Sequence, residues 1–483
     1  MRYRVWPLLG AMSLWAGCAT PPLPQSACVE TVGHVQLVSG HVPATLPIEP
    51  ELDGPHPVEF YVQLALERNP EIRAAQREVA AEAERIPQVT ALDDPMLEDR
   101  FWPIPDHSPQ TASGRMPNSL MLSQKFPWFD KLRVRGEVAA QETQIALTEL
   151  AETELRVIEQ VHLAYYDIYY YQRAIEITQE NEQLLRDLVD LAQIRIRTQM
   201  DAGQQDVLRA QLELDKLRQR IIVLRRQLRV AQADLAALLH ASPELLPLAM
   251  EEIHVPSAPE TIDQLYAAAV RCRPELQERL HAIVRDQRQR ELACLEYYPD
   301  VTLGFGWDYM TTDQAISPVA DSKDNYGFMV GINLPIWQDK LRAGVREAEH
   351  RVVASARRYD ATRDETFRQI RRLIAEADAY EQQIALFREN ILPRAEQTLE
   401  VSITDYRGGR VDFLQVIDNY SGVLTFQVQL ARLETNLGQT LASLERIIGC
   451  GLATLPAGPD ESAPELAPEP ADLPIEPLPN DAN

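Results

Sequence analysis

Five cysteines, nine histidines and nine methionines are the side chains on which metal or redox chemistry would draw. Their spacing supplies neither. There is no C-x-x-C, no two histidines stand at i, i+4, and the methionines form no run. His162 and His350 fall within helical periodicity and read as surface or seam residues rather than ligands. No G-x-x-x-x-G-K-[ST], H-E-x-x-H or G-x-S-x-G is present. No set of nucleophile, base and metal emerges, so the expectation is a protein without catalytic residues, cofactor or metal site. Cys272 and Cys294 are expected on one helix, about 33 Å apart, too far to bridge, which leaves Cys28–Cys450 as the plausible pair.

The chain has 483 residues and a formal net charge of −25. That length holds two to four ordinary domains or one extended architecture. The negative charge, with no basic stripe to offset it, excludes a nucleic-acid partner, because a phosphate backbone requires clustered Lys and Arg. At the N-terminus, Arg2 and Arg4 precede the apolar run "VWPLLGAMSLWA" and then Gly17-Cys18. The run is shorter than the ~20 residues a membrane-spanning helix needs, so residues 1–17 read as an export signal. Cys18 after Ala16-Gly17 resembles a bacterial lipobox, which implies a lipidated first mature residue. Ala19 in place of Asp then favours the outer membrane. A secretory signal cleaved elsewhere is the alternative.

Positioning elements come from a repeat. The chain matches itself at a period of about 205 residues. "LERNPEI" (66–72) matches "VRCRPEL" (270–276), and Pro95 matches Pro299. "KFPWFDKLR" (125–133) matches "NLPIWQDKLR" (333–342), and "GQQDVL" (203–208) matches "GRVDFL" (409–414). Four landmarks in one order indicate a tandem duplication, each half reading helix, strand, strand, long helix, turn, long helix. No proline occurs between Pro127 and Pro243, and Gly136 and Gly203 are the only glycines there. Val207, Ala210, Leu214, Leu217, Ile221, Leu224, Leu228, Ala231, Leu235 and Leu238 keep spacings of three and four, a heptad seam that demands a partner helix. Residues 131–240 and 338–448 are therefore expected as antiparallel coiled-coil hairpins, the second kinked at Pro393.

Among these helices "VTLGFGWDYM" (301–310) is foreign. Val301, Leu303, Phe305, Trp307 and Tyr309 alternate with small or polar residues; Tyr326, Phe328, Val330, Ile332 and Leu334 do the same. Two strands of about ten residues have the length a tilted strand needs to cross a bilayer, with the apolar face on lipid. A soluble sheet packed on a helix would alternate in the same way. In the first half "SLMLSQKF" (119–126) alternates passably, whereas "MLEDRFW" (96–102) carries charge on both faces. Four strands do not close a channel, and open edges are forbidden in lipid, so several copies must contribute.

A duplicated helix–strand–strand–hairpin chain with a lipobox resembles the TolC-like outer-membrane efflux family. "SQKFPWFDKLRVRGEVA" (123–139) looks like that family's join of second strand to long helix, with Asp130 where the family usually has Gly. "GQQDVLRAQLEL" (203–214) and "YRGGRVDFLQVIDNY" (406–420) look like its two hairpin tips, and "ILPRAEQTLE" (391–400) also fits. The "PWF" and "QQDVLRAQ" wording is closest to the heavy-metal efflux branch. The resemblance implies a mostly α fold with long antiparallel hairpins forming an α-barrel tunnel. Four transmembrane strands per protomer would complete a twelve-stranded β-barrel in a homotrimer. It implies a periplasmic adaptor and an inner-membrane pump as partners, outer-membrane lipid around the barrel, and heavy-metal cations or drugs as cargo.

The implied organisation is a signal peptide (1–17), an extended leader (18–56), a first efflux repeat (57–240) and a linker (241–258). A second repeat (259–450) and a disordered acidic, Pro-rich tail (451–483) follow. By the same resemblance Gly203, Gln204, Gln205, Gly409, Arg410 and Val411 are adaptor-contact candidates, although both glycines would also suit a plain helix-ending turn. Asp418 matches the position whose carboxylates ring the closed periplasmic end, with Asp412, Asp405 and Arg410 nearby. Carboxylates around an axis repel one another and favour cations. Asp418 on a solvated coiled-coil face is the competing reading, and Arg407 and Arg410 would equally pair with these acids. A duct for type I protein secretion and a non-conducting coiled-coil tether are the rival functions.

Overall fold

The computed structural model describes residues 54–103, 107–198, 204–250, 261–313, 315–316 and 318–451. The expectations for Cys18, Cys28, Gly203, the export signal, the leader up to residue 53, residues 251–258 and the tail from residue 452 lie outside the described residues.

The chain opens with β1 (Gly54–Pro55), α1 (Val58–Arg68), α2 (Pro70–Ala83) and α3 (Arg85–Thr90). Asn69 punctuates the α1–α2 turn: its side chain accepts from the Glu71 N–H, and Pro70 begins α2 where a missing N–H costs nothing. Strands β2 (Met96–Phe101), β3 (Gln110–Thr111) and β4 (Gly114–Phe126) follow. Then come the long helices α4 (Lys131–Thr198) and α5 (Gln204–Leu238), and β5 (Pro247–Leu248). The remainder is α6 (Ile262–Cys272), α7 (Pro274–Leu295), β6 (Val301–Thr311), β7 (Asn325–Ile332), α8 (Gln338–Leu386), one π turn (Phe387–Ile391), α9 (Leu392–Arg407) and α10 (Phe413–Ile448).

The heptad seam of α5 faces inward as expected. Ala210, Leu217, Ile221, Leu224, Ala231 and Leu235 are buried, and Val207, Leu214, Leu228 and Leu238 are half-buried. At 1.5 Å per residue α4 runs about 100 Å, long enough to pack successively on α1, α2, α5, α7 and α10. The interruption at Pro393 takes the form of the single π turn just upstream, with Pro393 in the first turn of α9. The widened turn absorbs the hydrogen bond that proline cannot make. Cys272 and Cys294 are not on one helix: the chain breaks at Arg273–Pro274, which corrects the sequence expectation.

Residues 241–250, expected as part of a linker, are tightly held. Leu245 is buried, β5 pairs in parallel with β1, and the Tyr61 hydroxyl donates to the carbonyls of Gly54 and Leu248. The core has three sections along the helices, one around Tyr61, Val161 and Leu235, one around Leu265, Ile370 and Leu444, and one around Leu185, Phe413 and Tyr420. Helix α10 presses so closely on α4 that a Cβ on Gly438 would lie 2.5 Å from the Tyr166 ring. Gly438→Ala is therefore expected to cost about 1–3 kcal/mol through overpacking, read as a lower thermal midpoint of the detergent-extracted protein. An unchanged midpoint would show that Tyr166 yields.

Candidate functional site

The main sheet is antiparallel, in the order β2–β4–β6–β7, with β3 paired to the end of β4. Its register sorts the side chains. Leu303 stands opposite Val330, Phe305 opposite Phe328 and Trp307 opposite Tyr326. On the other side Phe305 faces Leu122, and Trp307 faces Leu120. Directly opposed residues in an antiparallel pair share a face, so these form one continuous apolar surface. Ring contacts knit it: Phe305 to Phe328 at 5.5 Å and to Tyr326 at 6.2 Å. That face is uncovered: Leu303, Phe305, Trp307 and Tyr309 are exposed, and Phe328 is 88 % exposed. Val301 is half-buried at the start of β6, and Leu334 lies beyond the end of β7, in the connection to α8, although it was expected within the strand.

The opposite face is small and polar. Thr302, Gly304, Gly306 and Asp308 line it on β6, and Ser119 donates to Asp308 at 2.7 Å across the β4–β6 pair. The charges of β2 divide between the faces. Glu98 and Arg100 stand opposite Met121 and Ser119 on the polar side and pair with each other at 2.8 Å, whereas Asp99 stands opposite Leu120 on the apolar side. β2 covers six residues, fewer than the expected 96–102, and β4 is longer than the expected 119–126 because an irregularity between Arg115 and Asn118 lets it continue to Gly114.

Where strands become helices, one buried ion pair joins the two halves. Lys131, the first residue of α4, is 1 % exposed and its Nζ donates to Asp300 Oδ1 at 2.9 Å. Asp300 also accepts from the Trp128 backbone N–H at 3.1 Å and pairs with Lys125 at 3.2 Å. Lys131 donates in addition to the Tyr298 carbonyl at 3.3 Å. Trp128 stacks on Tyr298 with ring centroids 5.3 Å apart and planes 11° from parallel. Burial opposes the Asp300 charge, yet hydrogen bonds from Lys131, Trp128 and Lys125 outweigh it and hold the carboxyl below its ordinary range. Asp130, just before, has φ +70, a left-handed conformation that favours glycine. This is the physical reason a Gly would suit that position.

At the other end of the helices lies the second hairpin tip. α9 ends at Arg407 with Gly408 as its cap, Gly409 adopts φ +73, and α10 starts after Asp412. The Gly409 N–H donates to the Tyr406 carbonyl and the Arg410 N–H to that of Asp405, so Gly409 serves as a helix-ending residue. Arg410 pairs with Asp405 at 3.3 Å in an exposed position. Among the described residues no ion pair engages Arg407, Asp412 or Asp418, and Asp412 and Asp418 are exposed. Beneath them the fold is firm. Tyr406 and Phe413 rings meet at 5.3 Å, and the buried Tyr420 hydroxyl donates to the Asn181 carbonyl at 2.8 Å. Val207 of the first hairpin and Val411 of the second pack on this same cluster, which brings the two tip regions together. Gln205 is exposed at the start of α5.

Residues 265–450 match the model of a family described as outer membrane efflux protein. Among solved structures, the chain is similar to CusC, described for conformational changes accompanying folding and transmembrane channel formation, with 19% identity and a TM-score of 0.69. That match covers 86% of this chain and 99% of the other. It is also similar to VceC from Vibrio cholerae, at 19% identity and a TM-score of 0.67 over 82% of this chain and 96% of that one. The open state of the Neisseria gonorrhoeae MtrE channel matches at 16% identity and a TM-score of 0.65, over 82% and 89% of the two chains. At these identities the likeness establishes the fold. No curated protein sequence matches the chain.

The Lys131–Asp300 pair is the feature that sequence reading missed. Some 169 positions separate the two residues, and no periodicity links them. The one available signal was a lysine opening a long helix beside a strand start. The nearness of Cys450 to Cys272, across the end of α6, was not foreseen either.

Proposed function

We propose that the protein is the outer-membrane channel of a tripartite efflux system, a passive gated duct across the periplasm and outer membrane. The observation that carries this reading is the two-faced sheet, aromatic and aliphatic residues exposed on one side and glycines, threonine and aspartate on the other. Water penalises such an uncovered apolar face, whereas lipid accommodates it, and a non-conducting tether would have no use for the alternation. Among the described residues no strand pairs with the outer edges of β2 and β7, and hydrocarbon does not tolerate such edges. Three copies contributing four strands each close them into a twelve-stranded barrel. The exposed apolar residues of α5, Leu208, Leu212 and Ile222, are then covered by neighbouring hairpins that continue the barrel as a tunnel.

On this reading Cys18 carries the lipid anchor. The tips around Gly203, Gln204, Gln205, Gly409, Arg410 and Val411 meet a periplasmic adaptor bound to an inner-membrane pump, and Asp418 and Asp412, with Arg410, form the periplasmic constriction. The exposure of Asp412 and Asp418, free of ion pairs among the described residues, leaves their charge available to cations. The two efflux repeats occupy residues 57–240 and 259–450. Light scattering of the detergent-extracted protein, corrected for bound detergent, is expected to give a protein mass of three chains. A monomer that nevertheless retains its helical circular dichroism would overturn the shared barrel.

A further inference from the structure

We propose that Cys272 and Cys450 form an intrachain disulfide once the helical region lies in an oxidising compartment, tying the α6–α7 turn to the end of α10. The pairing rests on the fold, and only the place of oxidation rests on the outer-membrane reading. Cys272 closes α6, and Cys450 follows the last residue of α10 by two positions. The segments touch through their backbones. A Cβ at Gly449 would lie 2.6 Å from the Cys272 carbonyl oxygen and 2.7 Å from the Arg273 Cα, a closeness that glycine at φ +87 permits. Cys450 packs on the apolar cluster of Leu265, Ala269 and Ile448, which fixes it over the end of α6. Its thiol lies near enough to that of Cys272 for the two to affect each other's charge. Cys294 does not compete, since it lies about 30 Å along α7 from that turn.

Exposure assigns the order of events. Cys272 is exposed and Cys450 half-buried, and burial first, then the neighbouring Cys272, pushes the Cys450 thiol up to about 12. The Cys272 thiolate therefore attacks the oxidant, a protein or small-molecule disulfide, expelling one of its sulfurs as thiolate and leaving a mixed disulfide. Cys450 then gives its proton to water and attacks Cys272 Sγ, releasing the second thiol of the oxidant. Two electrons and two protons pass to the oxidant in total. The bridge closes nearly the whole second half into one loop, the arrangement in which a cross-link most restricts the unfolded chain.

Peptide mapping of the full chain purified from the cell envelope, alkylated in denaturant without reduction, tests the bridge in place. The expected result is a Cys272 peptide joined to the Cys450 peptide, lighter than the two thiol forms by two hydrogens, with Cys294 alkylated. A Cys28–Cys450 link would overturn the proposal. In parallel, the purified reduced protein is incubated with oxidised and reduced glutathione. Closure of the pair without adducts, while Cys294 takes one glutathione, supports the proposal; stable adducts on both Cys272 and Cys450 overturn it. Closure in glutathione combined with free thiols in envelope-derived protein would contradict the outer-membrane reading and leave the pairing supported.

Discussion

Asp300→Asn is expected to destabilise the protein by about 3 kcal/mol, because it takes the nearer counter-charge from the buried Lys131 ammonium and leaves it only the exposed Glu296 carboxylate at 3.7 Å. Asn keeps the shape and can still accept from the Trp128 N–H, so the loss reports charge rather than packing. Removing both partners together, as Lys131→Met with Asp300→Leu, is expected to cost much less than the single change, since no orphaned charge remains. Thermal midpoints of the three detergent-extracted proteins decide it; equal losses in the single and double variants would mean that the pair acts only through packing. The pH dependence follows from the depressed Asp300 carboxyl. A folded-state value below the unfolded one contributes stability that is present above the ordinary carboxylate range and is lost as pH falls through the depressed value. The wild-type protein should therefore lose more stability than Asp300→Asn on acidification below that range.

Phe305→Arg is expected to cost about 2–4 kcal/mol in every copy, the penalty for a cation near the middle of a lipid-facing strand. Phe305 lies at the centre of the apolar surface, between Leu122 and Phe328. Thr302→Arg, on the other face of the same strand, should be tolerated, because a shift of one residue moves a side chain to the polar side. The measurement is the yield of folded assembly in the outer-membrane fraction for each variant. Equal yields would mean that both faces of β6 meet the same medium and that the sheet does not face lipid.

How much of this was legible depended on range. The α5 seam and the alternation of β6 are local patterns, and residues from Val207 to Leu238 and from Val301 to Tyr309 fell on the faces their spacing implied. Features made by contact across the chain were not legible. The charge-bearing β2 gave no clean alternation, yet pairing with β4 places Glu98 and Arg100 on the polar face and leaves Asp99 alone on the other. The β1–β5 pair is too short to leave a sequence signal. Helical continuity across Arg273–Pro274 was overestimated, and the approach of Cys450 to the end of α6 left no signal in the sequence. At the tip, Gly409 was legible as a turn, whereas the partner of Arg410 was open between several acids and proves to be Asp405.

The most direct test of the duct is single-channel conductance of the purified three-copy assembly in planar bilayers, with Asp418→Ala measured alongside. The account predicts small, cation-selective openings that grow or lose selectivity in Asp418→Ala, because the substitution removes one carboxylate per copy from the constriction. Openings indifferent to the substitution would keep the duct and remove Asp418 from its gate. A folded assembly that conducts in neither form, and still does not conduct after truncation of the tips around Gly203 and Gly409, would contradict the account.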